Sequence, residues 1–335
     1  MATEIVYLLG AGASYGTREK DEKGNDSPGK IIRGIPIVNE LENAIKFLKR
    51  YRSSPEMLSN AQKILFASLD RLEENCKNYP TIDTYAKQLF VTKRKNEYEQ
   101  LKKDLTVFFT LQQDFQKRDL RYDGFIASLI DEEGNLPNNI KILSWNYDCQ
   151  FELAYSGYIK EQERSISRSQ TELKISNKLF PDGIGDDFGI IKLNGTAISM
   201  NRERGKLLEQ YFAPTMPKEE FCGRLFDNNE HNALSFAWEK DESTEFFLKN
   251  IVNNIKNART LVVIGYSFPY VNRKIDRMLL RCMENLRTVY IQDVQPELIQ
   301  ENLFATLSYN QTVENPVECK PFKNLNQFVI PSELR

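Results

Sequence analysis

The sequence predicts an α/β fold, a doubly wound and mostly parallel sheet with a large helical insertion after the first strand. Apolar runs of strand length begin at Glu4, Lys141, Ile190, Thr260 and Thr288. Segments of helical periodicity separate them, the order expected of βαβ units. Each run stops in small or polar residues, and in an open parallel sheet these ends share one edge, where ligands bind.

Composition narrows the function classes. At 335 residues the chain can bury a large core. It reads as a single domain, 1–335, carrying a helical subdomain at 37–130. Hydrophobic residues make up 41% and charged residues 27%, ordinary for a globular protein. A net charge of −2 supplies no basic face for nucleic acid. No apolar run has the length of a membrane span and no signal-peptide pattern opens the chain, so a cytoplasmic location is expected. The five cysteines form no C-x-x-C pair, and no zinc site is expected. His231 is the one histidine. It lies in the polar run Asp227–Asn232 and reads as a surface residue, which excludes a multi-histidine metal centre.

In chain order, the first strand runs into Gly10-Ala-Gly-Ala-Ser14-Tyr-Gly16, a turn whose glycines let backbone approach a ligand. Three residues separate Gly12 from Gly16, where the dinucleotide fingerprint of dehydrogenases has two. No acidic strand end follows at the distance that fingerprint requires. Thr17–Gly34 is polar and reads as a long loop, either a surface excursion or a lid. Gly34-Ile-Pro36 closes it, and a helix is expected from Val38 to about Arg52. Helical spacing then continues from Pro55 to about Ile130, with Leu58, Ile64, Leu65, Leu69 and Leu72 marking its apolar side. Within it, Thr81–Tyr85 looks like a helix start, and Lys93–Lys103 reads as a solvated helix face before the apolar Leu105–Phe115. Phe151–Tyr158 is helical, residues 160–187 are turn-rich, and 200–256 mix loop and helix. A helix from Asn272 to Met283 precedes the fifth strand. The last 40 residues hold another helix and a short edge segment.

The polar strand ends converge. They are Gly10–Gly16, Asn146 with Asp148, Asn194-Gly195, Gly265 with Ser267, and Asp293. Turn chemistry alone can place Gly, Asn or Asp at any one of them; five together describe a polar crevice. The amides of Ala11, Gly12, Ala13 and Ser14, with the Ser14 hydroxyl, suit a diphosphate. Gly265 and Ser267 suit a second phosphate or a ribose face. Asp293 could accept hydrogen bonds from a ribose or an adenine amine. Asn146 and Asp148 flank Tyr147, so on extended backbone both side chains point the same way. They could orient a carboxamide-bearing ring or stabilise a developing positive charge.

Gly10-Ala-Gly-Ala-Ser14, Gly34-Ile-Pro36, Ser144-Trp-Asn-Tyr-Asp148, Lys192-Leu-Asn-Gly195 and Ile264-Gly-Tyr-Ser-Phe268 occur in the order of the sirtuin NAD-binding motifs. More specifically, the chain resembles the sirtuin-like effectors of bacterial antiviral defence, over about residues 4–295. The helical insertion, Thr81–Tyr85, Phe236-Ala-Trp-Glu239 and Asn272-Arg-Lys-Ile-Asp276 resemble that branch as well. The resemblance implies a Rossmann-like sheet that binds NAD and cleaves its nicotinamide–ribose bond. In deacetylating sirtuins an acetyl-lysine oxygen attacks; in the defence branch water does, and NAD depletion stops the infected cell. Carried over, Gly10, Ala11, Gly12, Ala13, Ser14 and Pro36 would hold NAD at its phosphates and nearby ribose. Gly265, Ser267 and Asp293 would line the rest, and Asn146, Asp148 and Asn194 would be the catalytic group. The resemblance further implies a homo-oligomer, expected to assemble through the helical insertion, or a separate sensor or ATPase partner.

Two departures matter. The zinc ribbon of deacetylating sirtuins needs paired cysteines, which this chain lacks, and that argues against deacetylation. The family's Lys-Leu-His-Gly has also become Lys192-Leu-Asn194-Gly195. An asparagine amide can hydrogen-bond a ribose hydroxyl but takes up no proton near pH 7. Three readings follow: an engineered inactive variant, NAD hydrolysis without that base, or a module that only binds NAD or ADP-ribose. Phe236–Glu239 is expected to pack in the core, and Arg273 to pair with Asp276 or pack its helix.

Overall fold

The strand runs are apolar on both faces, and the fold covers both. The computed structural model describes residues 3–179, 181, 184–185, 187–197, 219, 222–223, 234–239 and 242–334. Its strands are β1 (Ile5–Leu9), β2 (Thr17–Lys20), β3 (Asp26–Arg33), β4 (Ile140–Ser144), β5 (Ile175–Asn177), β6 (Gly189–Lys192), β7 (Thr260–Ile264), β8 (Thr288–Gln292) and β9 (Glu318–Phe322). Its helices are α1 (Leu41–Lys49), α2 (Asn60–Asn78), α3 (Ile82–Val91), α4 (Lys95–Phe115), α5 (Leu120–Leu129), α6 (Gln150–Tyr155), α7 (Ile166–Glu172), α8 (Glu242–Ile255), α9 (Arg273–Arg281) and α10 (Pro296–Phe304).

Seven strands make one parallel, Rossmann-like sheet in the order β5-β6-β4-β1-β7-β8-β9. Central β1 pairs Ile5 with Ile140 on one side and with Thr260 on the other. From β1 the chain first builds towards β5, then returns and builds towards β9. That reversal is a topological switch point, where an open sheet leaves a crevice beyond its carboxyl ends.

The period of two along β1 sorts its residues between layers. Val6 and Leu8 pack with Phe247, Ile251 and Ile255 of α8, Leu279 and Leu280 of α9, and Leu303 of α10. Ile5, Tyr7 and Leu9 pack with Tyr122, Phe125 and Ile126 of α5 and Phe151 of α6. A third core lies in the helical insertion, where Ile45, Leu48, Leu65, Leu69, Leu101, Leu105 and Phe108 join. Phe236 and Trp238 belong to it, stacked at 4.8 Å, as core packing requires.

The structure corrects several sequence expectations. Thr17–Gly34 is an antiparallel ribbon, β2 with β3, instead of a loop. Asp21 Oδ1 accepts from the amides of Lys23 and Asn25 at its tip, where Gly24 has φ +82°. The ribbon is anchored by a charge, not an apolar face. Arg18 is buried, donates to Glu40 at 2.8 and 2.6 Å, and reaches the Ile35 carbonyl at 3.0 Å. Lys93–Lys103 is not wholly a solvated face, because α4 buries Tyr98, Leu101 and Lys102, with Lys102 paired to Glu239 at 2.6 Å. Residues 160–187 include α7 and β5, whose Ser176 and Asn177 are buried polar residues that disguise a strand. The edge segment near the end is β9. His231 and most of 200–233 lie outside the described residues. Among the described residues, no helix is long and apolar enough to cross a membrane.

Candidate functional site

Two turns meet above the sheet. The Gly10 N–H donates to the Ile264 carbonyl at 3.0 Å, and the Gly12 N–H donates to the Gly265 carbonyl at 3.0 Å. Gly265 has φ +57°, and a Cβ there would lie 2.3 Å from the Ala13 nitrogen and from the Gly12 carbonyl carbon. These glycines permit backbone to lie on backbone. The same geometry changes the role of the first turn. Its Gly12 amide is engaged by Gly265, and its Ala13 amide by the Gly10 carbonyl at 2.9 Å, so two amides expected to cradle phosphate are held inside the protein. Ala13 faces the core beneath the turn rather than the crevice, and its carbonyl accepts from Arg121 at 2.9 Å.

Beyond the turns lies a cavity of about 410 Å³. Gly10, Ala11 and Ser14 reach it from the end of β1, Asn146 and Asp148 from β4, Asn194 from β6, and Gly265 and Ser267 from β7. Pro36 lines it from the segment before α1. Gly12 and Asp293 lie instead on a wider groove of about 1050 Å³. The two spaces share Ala11, Val38, Asn39, Gly265 and Ser267 as walls. Eleven of the twelve expected site residues are thus spread over two adjoining chambers, with Ala13 outside both.

Asn146 is fixed. Its Nδ2 donates to the Gly10 carbonyl at 2.9 Å and to Ser14 Oγ at 3.0 Å. Since a carbonyl only accepts, the amide nitrogen must face Gly10, which leaves Oδ1 as the acceptor for the cavity. Ser14 Oγ also shares a 2.7 Å hydrogen bond with the buried Tyr122 hydroxyl. Burial, with the Asp148 charge second, pushes the Tyr122 phenol well above its ordinary value, so it stays protonated. Asp148 has one carboxylate oxygen on the Gln150 amide at 3.1 Å, at the start of α6, and its carbonyl accepts from Lys192 Nζ at 2.7 Å. Burial opposes the Lys192 charge, but Glu152 and Asp148 outweigh it and hold that pKa above the usual lysine value.

Asn194 is less well satisfied. Its Nδ2 makes only long contacts, 3.4 Å to the Trp145 carbonyl and 3.5 Å to the Tyr147 hydroxyl. Its Oδ1 is buried without a hydrogen-bond donor among the described residues. A buried unpaired acceptor costs about 1–3 kcal/mol, so this oxygen is suited to a donor arriving from the cavity, such as a sugar hydroxyl. The Asn194 carbonyl accepts from Ser235 at 2.8 Å, and this link brings Phe236–Trp238 to the cavity wall as well as to the core.

Asp276 pairs with the Tyr266 hydroxyl at 2.8 and 3.0 Å instead of with Arg273, which stacks over Tyr270. Asn272 donates to the same hydroxyl at 3.1 Å, and Tyr266 stacks on Trp145 at 5.9 Å. One wall therefore interlocks three of the sequence motifs.

One residue absent from the expected site is Asp83, in the first turn of α3. It lines the cavity, and burial pushes its pKa up to about 6. Thr81–Tyr85 stood out as a helix start, and Thr81 Oγ1 does cap α3 by accepting the Thr84 amide at 3.1 Å. Nothing local in that motif tells which way the carboxylate of Asp83 faces. Among the described residues no group of three or more His, Cys, Asp or Glu side chains is placed to hold a metal ion. Comparison with protein-family models gives no match, and comparison with curated proteins gives none.

Proposed function

We propose that the chain binds NAD across the two chambers and cleaves its nicotinamide–ribose bond with water. The supporting observation is the pair of adjoining chambers that meet at the Gly12–Gly265 contact, with the Asn146 and Asn194 acceptors in the smaller one. In this reading the adenosine lies towards Asp293, and the diphosphate crosses Ala11 and Ser267. The nicotinamide ribose reaches Asn146 and Asn194, whose Oδ1 atoms accept its hydroxyl protons. Departure of nicotinamide neutralises its ring and leaves positive charge on the ribose, which a preorganised carboxylate and amide oxygens stabilise. The biological outcome would be NAD depletion in an infected bacterial cell, kept in check by self-assembly or by a partner protein.

Purified protein incubated with NAD is expected to release nicotinamide and ADP-ribose, separable by chromatography. Asn146→Ala is expected to reduce turnover by about 10² or more, since it removes both the acceptor and the clamp on Gly10 and Ser14. Absence of product from both this chain and Asn194→His would refute the proposal. A second reading, a binding-only module, is favoured by Asn194 itself, whose amide takes up no proton. Calorimetric binding of ADP-ribose with no turnover in either protein would select it.

A further inference from the structure

Cleavage by water needs a group to receive a proton, and the small chamber offers few. Asn194 cannot serve. Tyr147 is half-buried and its phenol is raised well above the ordinary value by desolvation, so it is neutral and no base. Asp148 is already engaged, one carboxylate oxygen accepting the Gln150 amide at 3.1 Å and its carbonyl accepting from Lys192 at 2.7 Å. Asp83 differs from both. Its carboxylate has no hydrogen-bond or ion-pair partner among the described residues, and Leu105, Phe109 and Trp238 line the same cavity. Asp83, Asn194 and Tyr147 line one cavity, and Asn194 Nδ2 lies 3.5 Å from the Tyr147 hydroxyl.

We propose that Asp83 is the proton acceptor for the attacking water, supplying from α3 what Asn194 lacks at the end of β6. This rests on the NAD-cleaving reading above. The C1′–N bond breaks with its electron pair going to the nicotinamide nitrogen, which becomes neutral. The water oxygen forms the new bond to C1′, one of its protons passes to the Asp83 carboxylate, and that proton is later released to solvent. The surroundings suit the task. Tyr147, at the end of β4, and Tyr266, at the end of β7, line the same cavity as Asp83, with Asp276 hydrogen-bonded behind Tyr266. Glu239 accepts from the Tyr98 hydroxyl at 2.6 Å and is paired with Lys102 of α4, while Lys87 of α3 lies over the Trp238 ring. Burial keeps the carboxylate basic, with a pKa of about 6, close to the range in which a general base works best.

The test compares this chain, Asp83→Asn, Asn194→His and the double variant, measuring kcat across pH 5–9 and NAD binding by calorimetry. Asp83→Asn is expected to lower kcat by about 10²–10⁴ while NAD still binds, and to abolish the acid limb centred near pH 6. The double variant is expected to recover turnover through histidine. An Asp83→Asn protein with unchanged kcat and pH profile overturns the assignment and leaves NAD cleavage standing. So does loss of NAD binding in parallel with turnover, which would make Asp83 a binding group. Activity in Asn194→His but none in this chain also overturns it, because Asp83 would then be insufficient. Inactivity of both overturns the NAD reading itself.

Discussion

Replacing Gly265 by alanine tests whether the two turns are welded together. The new Cβ would stand 2.3 Å from the Ala13 nitrogen and the Gly12 carbonyl carbon, and 2.5 Å from the Gly12 Cα. All three are backbone atoms, so no side chain can swing aside. The residue also sits at φ +57°, which costs a non-glycine residue about 1–2 kcal/mol. Relieving the overlap requires the turns to separate, at a further cost of about 1–3 kcal/mol. The sum, about 2–5 kcal/mol, is a large share of a typical folding free energy of about 5–15 kcal/mol. Gly24→Ala is the matched control: its φ is +82°, and a Cβ there would meet nothing within 4 Å. It carries the conformational cost without the contact. Urea unfolding followed by circular dichroism should place Gly265→Ala well below Gly24→Ala. If the two variants lose equal stability, the backbone contact is not what holds the turns together.

Two further outcomes follow. Asp83→Asn should stabilise the protein by about 1–3 kcal/mol above pH 7, since folding raises this carboxyl from 3.8 to about 6 and so opposes its ionised form. The lower end allows for water reaching it from the cavity. The gain should shrink as pH falls from 6 towards 3.8 and vanish below that, which a pH series of melting curves would show. Glu40→Ala leaves Arg18 buried without its partner and should cost about 3–5 kcal/mol, measured by urea unfolding, with faster proteolysis within Gly16–Gly34. Burial acts against the Glu40 carboxylate, but Arg18 outweighs it and lowers its pKa below 4.5. The pair's contribution is therefore present above pH 4.5 and is lost as pH falls through that depressed value.

The sheet was legible because its strands are apolar on both faces and their ends change abruptly to Gly, Asn and Asp. The ribbon was hidden for the opposite reason: Arg18 takes the buried position where a hydrophobic residue would have marked a strand. β5 was hidden by Ser176 and Asn177, buried against β6 despite their polarity. In the site, residues at strand ends were found because topology alone sends them to one edge. Asp83 was not, since a helix start in an insertion carries no such rule and its orientation depends on how α3 packs. Ala13 shows the converse. It sits inside the right motif, but a one-turn helix of Ala11–Ser14 rotates it away from the crevice. The spacing marks the turn, but the rotation of its one-turn helix decides which residue points inward.

Central β1 also sets the order in which the crevice can be completed during synthesis. The Gly10–Ser14 turn is made first, yet its amides need the carbonyls of Ile264 and Gly265, at the end of β7, the fifth of the seven sheet strands to emerge after β1, β4, β5 and β6. A nascent chain that ends before Thr260 has the Asn146 clamp available but lacks one whole side of β1. Such long-range pairing is also slow to form. The crevice is therefore a late product of translation, and incomplete copies of the chain carry only half of it.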